Sequence, residues 1–326
     1  MSGLLAPVDG WMFAPAPPQR LAVLRLLVGG FATVYLAVRL PVFLSVADAD
    51  PGRFRPVGLL APLEDPLPGG LLRGLAVLAL VLGAAFTAGV WFRLSGPLFA
   101  LVLLVLTTNR SSYGQLLHFE NLMLLHVLVV GLARSADALS WDARDRSPRL
   151  RADAADPVGS PYGWPVRLAA LVTVVTYVLA GLAKLRIGGL GWMVGDTLRN
   201  HVAYSAVRLD ALGGTPSAVG KALVERAWIF PPLAVSTVVV ELAAPVALLG
   251  GRIRTVWVAC AWALHAGIAA LMFVVFPYPL FLVAFAPFYR LERIPQVLGE
   301  RTTEPLRRPG DDGNRHGCSF HVWRRV

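Results

Sequence analysis

The sequence predicts an all-α protein, a bundle of about eight helices that span a membrane. The chain is 56% hydrophobic and only 15% charged, whereas a soluble domain carries about 25% charged residues. Several apolar stretches are long enough to cross roughly 30 Å of hydrocarbon at about 1.5 Å per residue. Breaks rich in proline, glycine and arginine separate them. Helices are expected because each one satisfies its own backbone hydrogen bonds in lipid.

The apolar stretches define the predicted spans and the domain organisation. The spans cover residues 21–46, 71–92, 94–108, 116–133, 167–185, 233–250, 255–276 and 278–289. Residues 186–230 are mixed in character, with weakly amphipathic helical stretches. We therefore predict a proline-rich N-terminal segment at 1–20, a transmembrane domain at 21–292 and a basic tail at 293–326. The tail is polar enough to be disordered.

The distribution of basic residues predicts the orientation, because lysine and arginine collect in cytoplasmic loops. Arginines are frequent in the loop at 134–167, in the turn with Arg252 and Arg254, and in the tail. With eight spans, all three segments fall on the side of the N-terminus. We expect a multi-pass protein of the cell membrane with both termini in the cytoplasm. The net charge of +10 then reflects topology, and membrane lipids rather than nucleic acid are the expected partners.

The two cysteines do not point to metal or redox chemistry. Cys260 lies in an apolar stretch and Cys318 lies in the tail. They form no Cys-x-x-Cys pair and no set of ligands with the spacing of a zinc site. No metal is predicted.

The start of the fourth predicted span, "LLHFENLMLLH", concentrates polar side chains. A charged residue inside a span costs roughly 2.5–3.5 kcal/mol on insertion scales, so each needs a reason. His118, Glu120 and Asn121 either line a cavity near the outer end of this span or make hydrogen bonds between helices close to the headgroups. His126 lies deeper, and we predict that it is a hydrogen-bonded packing residue.

Two further polar residues lie within apolar spans. Glu241 precedes Pro245 by four residues, and that proline is expected to kink the sixth span. The carboxylate is either half of a structural ion pair or a catalytic group. The cations that could pair with it are Lys184, Arg25 and Arg39. His265 is the lone histidine of the tryptophan-rich seventh span, and it is either a packing histidine or a site residue.

The stretch "YVLAGLAKLRIGGLGWMVGD" (177–196) carries a lysine within an apolar segment. Lys184 lies near the outer end of its span, where a lysine can extend to the headgroups at little cost. Arg186 is already available to mark that boundary, so Lys184 is also a candidate working group. Trp192 suits the membrane interface. Asp196 is placed to cap a helix that continues through His201, which would face either the cavity or water.

This stretch resembles the signature of the HTTM family, the transmembrane domain shared with vitamin K-dependent gamma-carboxylase. The signature is an aromatic residue, Ala-Gly, Lys-Leu, and then tryptophan and glycine. The matching residues are Tyr177, Ala180, Gly181, Lys184, Leu185, Trp192 and Gly195. A late pattern in "HAGIAALMFVVFPYPLFLVAFAPFY" is similar to the family's closing segment and includes His265 and Pro277. The resemblance covers about residues 15–292.

The resemblance implies a role for Lys184 as the base that deprotonates a quinol, with a quinone or quinol as ligand. A lysine desolvated in an apolar pocket can be neutral and accept a proton near pH 7. Asn109 and Tyr113 match part of a polar family segment, although Ser111 stands where the family has histidine. Small bacterial members of the family are implicated in maturation of a secreted peptide, which makes a peptide the other candidate partner.

Three functions remain open at this point. The first is a membrane enzyme that acts on a quinol, another lipid-soluble molecule or a peptide near the outer face, with Lys184 as base. The supporting pocket residues would be Asn109, Tyr113, His118, Glu120, Asn121, Trp192, Asp196, His201, Glu241 and His265. The second is a non-catalytic maturation or scaffold protein for a secreted peptide or lipid. The third is a transporter, which the lack of a convincing internal repeat disfavours.

Overall fold

The structure is a computed structural model and describes residues 9–114, 118–144 and 160–294. Within those ranges the regular secondary structure is helical, with no strand. The chain divides into two compact units, residues 1–291 and 292–326. The basic tail predicted at 293–326 lies outside the described residues from position 295 onward, so its predicted disorder stays a prediction.

Eight helices of 13 residues or more organise the described part of the chain. They are α1 Pro18–Val46, α2 Gly69–Ala88, α3 Phe92–Ser111, α4 His118–Gly131, α5 Gly163–Gly188, α6 Thr197–Ala211, α7 Phe230–Leu242 and α8 Gly251–Met272. Shorter α-helices lie at Trp141–Arg144, Gly191–Val194, Ala218–Val224 and Pro277–Leu280. Turns of 3₁₀-helix lie at Pro51–Arg53, Gly58–Leu60, Ser160–Tyr162, Ala227–Ile229, Ala244–Leu249 and Val283–Phe288.

Several of these helices suit a multi-pass membrane protein. Among the described residues, α1, α2, α3, α5 and α8 are long and apolar enough to cross a membrane. Helix α7 joins this group only with the preceding segment from Ala218 to Val224, to which it is bent by 101°. Helix α4 is apolar but short. The described part of the chain is therefore helical with five, or up to six, candidate spans, and the predicted number of about eight is not confirmed.

The last predicted span, 278–289, is not a continuous helix. Pro277–Leu280 forms one helical turn, Leu282 adopts a left-handed conformation with φ of 63°, and Val283–Phe288 forms a 3₁₀ segment. Pro287 lacks a backbone N–H and so cannot support a regular α-helix here. The segment is largely buried, so it packs into the bundle.

The sixth predicted span, 233–250, is interrupted as the sequence indicated. Helix α7 ends at Leu242, and a 3₁₀ segment that contains Pro245 follows it. Glu241 therefore lies in the last turn of α7, just before the break. Here the α-helix gives way to a 3₁₀ segment beside a charged side chain, and membrane proteins tolerate irregular backbone where the chain is buried in protein or lines a cavity.

A buried arginine in α1 fastens the loop that follows α4. Arg25 is fully buried, and its guanidinium donates hydrogen bonds to the carbonyls of Ser135, at 2.7 Å, and of Leu139. Further bonds reach the carbonyls of Thr87 and Ala138. Its charge is therefore satisfied by backbone dipoles, and Arg25 is not the cation that pairs with Glu241.

Candidate functional site

The candidate site is built on an ion pair between α5 and α7. Lys184 donates a hydrogen bond from Nζ to Oε1 of Glu241. The lysine side chain is 22% exposed and the carboxylate side chain only 8%. Of the three cations that the sequence left open for Glu241, the structure selects Lys184. The pair joins a residue that the family resemblance singled out to one that was notable only for its charge within a span.

Gly181 allows the two helices to approach closely enough for this pair. A Cβ atom at position 181 would lie 2.9 Å from Cδ2 of Leu242 and 3.1 Å from Cβ of Glu241. A side chain here would force the side chain of Leu242 to shift, and small residues let membrane helices approach closely. The Ala-Gly before Lys184 thus positions α7 against α5.

A second polar pair faces the same space. The hydroxyl of Tyr177 on α5 lies 2.7 Å from Nε2 of His265 on α8 in a hydrogen bond. Tyr177, Gly181 and Lys184 are separated by four and three residues, so they share one face of α5. The Tyr177 ring is also held edge-on by Trp257, at 5.2 Å between centroids. Tyr177 was not predicted as a site residue, although its spacing from Lys184 was available in the sequence.

These four side chains line one cavity of about 180 Å³. The remaining lining is mostly apolar: Leu122, Thr176, Ala180, Leu264, Ile268, Phe276 and Pro279. An apolar enclosure with a few converging polar groups is typical of a small-molecule site. Its volume lies below the roughly 300–1,000 Å³ of pockets that enclose a drug-sized ligand. It therefore has room for a small molecule or for one end of a larger one.

One buried oxygen of the residues that line this cavity lacks a hydrogen-bond partner among the described residues. Oε2 of Glu241 is buried and has no hydrogen-bond partner among the described residues. Buried polar atoms without a partner are rare, and each calls for an explanation. A carboxylate oxygen accepts hydrogen bonds or a proton, so Oε2 can receive either from a bound molecule.

Trp192 and His201 extend the site beyond the cavity. Nζ of Lys184 lies 5.6 Å from the centre of the Trp192 ring, within range of a cation–π interaction. The ring of His201, an exposed residue on α6, lies 5.5 Å from that of Trp192. Asp196 occupies the N-cap position of α6, but its side chain makes no capping bond and instead lies 3.6 Å from Arg199.

Glu120 belongs to a different cluster, between α1, α3 and α4. It is buried, and it accepts hydrogen bonds from Tyr35 and from Arg110. The guanidinium of Arg110 also lies 5.5 Å from the centre of the Phe43 ring. The structure thus gives Glu120 helix-joining partners rather than a place on the cavity wall. Sequence reasoning missed Arg110 because it lies in a polar stretch taken as a break between spans.

Asn109, Tyr113 and Asn121 are not among the described residues that line the cavity. Asn109 is buried in α3 and its Oδ1 has no partner among the described residues. Tyr113 packs against Phe54, with 5.6 Å between ring centroids. Burial, and secondarily the Asp50 carboxylate, raise the pKa of Tyr113. Asn121 is exposed, and the side chain of His118 lies outside the described residues.

His126 confirms the prediction of a packing histidine. It is fully buried, with Nδ1 2.7 Å from the hydroxyl of Tyr278 and Nε2 2.9 Å from the carbonyl of Ala169. Both ring nitrogens are therefore occupied by structural partners. Among the described residues, no three His, Cys, Asp or Glu side chains come together in a group that could hold a metal ion.

Comparison of the chain with protein-family models, with curated proteins and with solved structures gave no match. A function must therefore be argued from the geometry and chemistry of the site.

Proposed function

We propose that the chain is an HTTM-like membrane protein of about eight spans that binds a lipid-soluble molecule with an acidic hydroxyl, such as a quinol, and removes its proton. The cavity beside Lys184 would receive the head group, and Lys184 with Glu241 would act as the base. The observation that carries this proposal is the unpartnered Oε2 of Glu241, a residue that lines a mostly apolar cavity. The sequence resemblance supports it, because Tyr177, Lys184 and His265 all line that cavity.

The pair can accept a proton without leaving a lone charge in a low-dielectric site. In the resting state one proton is shared between the lysine amine and the carboxylate, so the pair is neutral overall. When the quinol O–H bond breaks, the electron pair stays on the quinol oxygen and the proton enters the pair. The doubly protonated pair has a charge of +1, which balances the quinolate. Titration then belongs to the pair rather than to either residue.

The second polar pair would orient the ligand. The hydrogen bond between Tyr177 and His265 forms within the same cavity wall, and a ligand oxygen is a suitable further partner for either group. Placing the acidic hydroxyl against Oε2 of Glu241 requires such a second contact, because proton transfer depends on hydrogen-bond geometry. The apolar lining would exclude water from the ionised intermediate.

The site would open toward the outer leaflet, with both termini in the cytoplasm. Lys184 lies near the C-terminal end of α5, the end that the arginine distribution assigns to the outer side. A ligand dissolved in the membrane could then enter from lipid. A secreted peptide is the other substrate class that this location suits.

The proposal is tested with the full chain in lipid nanodiscs and a naphthoquinol probe. Quinolate formation is followed by absorbance for the native protein, for Lys184→Arg and for Glu241→Gln. We expect both variants to insert and to lose quinolate formation. Arginine neither releases its proton nor leaves Oε2 open, since its planar fork engages both carboxylate oxygens. The control is Arg186→Gln, an exposed cation two residues beyond Lys184, which should behave like the native protein.

Unchanged proton transfer in Lys184→Arg would overturn the assignment of the base. A scaffold would tolerate that change, so the same result would favour that function. Mass spectrometry of lipids that co-purify with the chain gives an independent test. A bound quinone or other lipid that disappears in Glu241→Gln supports the cavity as its site, and a bound lipid that is unaffected by this change contradicts it.

A further inference from the structure

A second cavity, at the other end of α5, is lined by arginines. Its volume is about 170 Å³, and the arginines on its wall are Arg20, Arg167, Arg254 and Arg290. None of the described residues that line it is acidic. Arg167 lies about 25 Å from Lys184 along the helix at 1.5 Å per residue. This cavity is therefore separate from the candidate site, and an inference from it does not depend on the proposed function.

The described contacts of Arg167 and Arg254 use only part of the hydrogen-bonding capacity of these two arginines. Arg167 donates from Nη1 to the carbonyl of Ala14, and Arg254 donates from Nη1 to the carbonyl of Phe288. A guanidinium has five N–H donors. Nε of Arg254 is buried and has no acceptor among the described residues. The face of that guanidinium is covered by Tyr289, whose ring centre lies 4.7 Å away, so its edge is what remains available for an acceptor.

The local backbone adds to the positive potential. Helix α5 begins at Gly163, which lines the cavity, and Arg254 lies in the first turn of α8. Neither helix has an acidic residue in its first turn. The N-terminal end of a helix carries a partial positive charge that favours anions and disfavours arginine. Two such ends beside the guanidinium groups of Arg167 and Arg254 favour the binding of an anion.

We propose that this cavity binds a phosphate group. Arginine forks match the geometry of phosphate oxygens and bind them by paired, charge-assisted hydrogen bonds. Backbone N–H groups at helix N-termini favour the same ligand. The volume equals several waters at about 30 Å³ each, which is room for one phosphate group. The cavity lies on the side of the bundle that the sequence predicts to be cytoplasmic, where the phosphate belongs to a lipid headgroup or to a free phosphate.

The test uses the full purified chain in detergent micelles and three probes. They are inorganic phosphate, dioctanoyl phosphatidic acid and, as a control for the acyl chains, dioctanoyl phosphatidylcholine. The unfolding temperature is measured against probe concentration, and native mass spectrometry counts the bound molecules. We expect one saturable site for phosphatidic acid or for phosphate. Saturation with inorganic phosphate alone identifies a free phosphate as sufficient, whereas a response confined to phosphatidic acid identifies the lipid headgroup.

Matched variants locate the binding. Arg254→Gln and Arg290→Gln should each weaken the apparent affinity by about tenfold or more, as expected for losing a charge-assisted hydrogen bond. The exposed Arg252, which does not line the cavity, provides the control Arg252→Gln with unchanged affinity. Because Arg290 is exposed, its variant should fold even where Arg254→Gln does not. The proposal is overturned if no probe saturates, or if Arg252→Gln weakens binding as much as the cavity variants.

Discussion

Lys184 on α5 and Glu241 on α7 form an ion pair whose two members differ in their access to water. The lysine side chain is 22% exposed and the carboxylate only 8%. A lysine released from its partner can extend its long side chain toward the headgroups. The carboxylate lies in the last turn of α7 on a shorter side chain, which cannot extend to the headgroups in the same way. The pair is therefore asymmetric, so removing the lysine and removing the carboxylate should lower the free energy of unfolding by different amounts.

This asymmetry predicts that Lys184→Met destabilises the protein more than Glu241→Gln. The first change leaves a buried carboxylate without a cation, and breaking a buried pair in this way costs roughly 3–5 kcal/mol. The second leaves a lysine that can reach water, so its cost should be at most about half as large. Unfolding free energies measured by denaturant titration in micelles give both values. The double variant should recover part of the loss, and strictly additive effects would show that the pair is not coupled in the folded protein.

The existence of helices and the choice of Lys184 and Glu241 as candidate site residues could be argued from sequence because both depend on local signals. Long apolar stretches predict spans, and a charge within a span is expensive wherever the neighbouring helices lie. The identity of the partner could not be argued in that way. Lys184, Arg25 and Arg39 were equivalent candidates for Glu241, and only the packing of α5 against α7 distinguishes them.

The partners of Glu120 and His265 could not be inferred from sequence for a related reason. Glu120 and His265 were both polar groups in apolar stretches, yet the first pairs with Arg110 and Tyr35 while the second lines the cavity with Tyr177. Sequence spacing places a residue on a face of its own helix, but it does not tell which helix covers that face. The segment 278–289 shows another limit, since its apolar composition suits a span while its prolines and buried packing produce two short helical turns.

The close contact between α5 and α7 at Gly181 can be tested by adding a methyl group at that position. Gly181→Ala adds a methyl group 2.9 Å from Cδ2 of Leu242, and overpacking of this kind costs about 1–3 kcal/mol. Gly74 in α2 has nothing within 4 Å of its would-be Cβ, so Gly74→Ala should be neutral or stabilising by up to about 1 kcal/mol through helix propensity. Thermal unfolding of both variants gives the comparison. Equal unfolding temperatures would show that α5 and α7 do not meet closely at Gly181.

We expect Tyr177→Phe to weaken ligand binding at the site and to lower stability only slightly. The substitution removes the hydroxyl that is hydrogen-bonded to His265 and keeps the ring that packs against Trp257. Stability should fall by about 0.5–1.5 kcal/mol, the usual net value of one hydrogen bond, while binding of the naphthoquinol probe weakens. The matched control is Tyr204→Phe on α6, where the tyrosine is 66% exposed. Probe binding that is equal in both variants would remove Tyr177 from the site.

We expect substitution of Arg25 to loosen the loop that follows α4. Lysine in its place keeps the positive charge, but a single ammonium cannot reproduce the fork that reaches the carbonyls of Ser135 and Leu139 together. Leaving a buried acceptor unsatisfied costs about 1–3 kcal/mol, so Arg25→Lys should destabilise the protein by at least that amount and expose this loop to protease.

The control is Arg73→Lys, because Arg73 pairs with Asp48 at a half-exposed surface position where ion pairs contribute about 0–1 kcal/mol. Cleavage after Arg134, monitored by mass spectrometry during limited trypsin digestion, should accelerate in Arg25→Lys alone. The same cleavage rate in both variants would show that the buried guanidinium does not hold the loop.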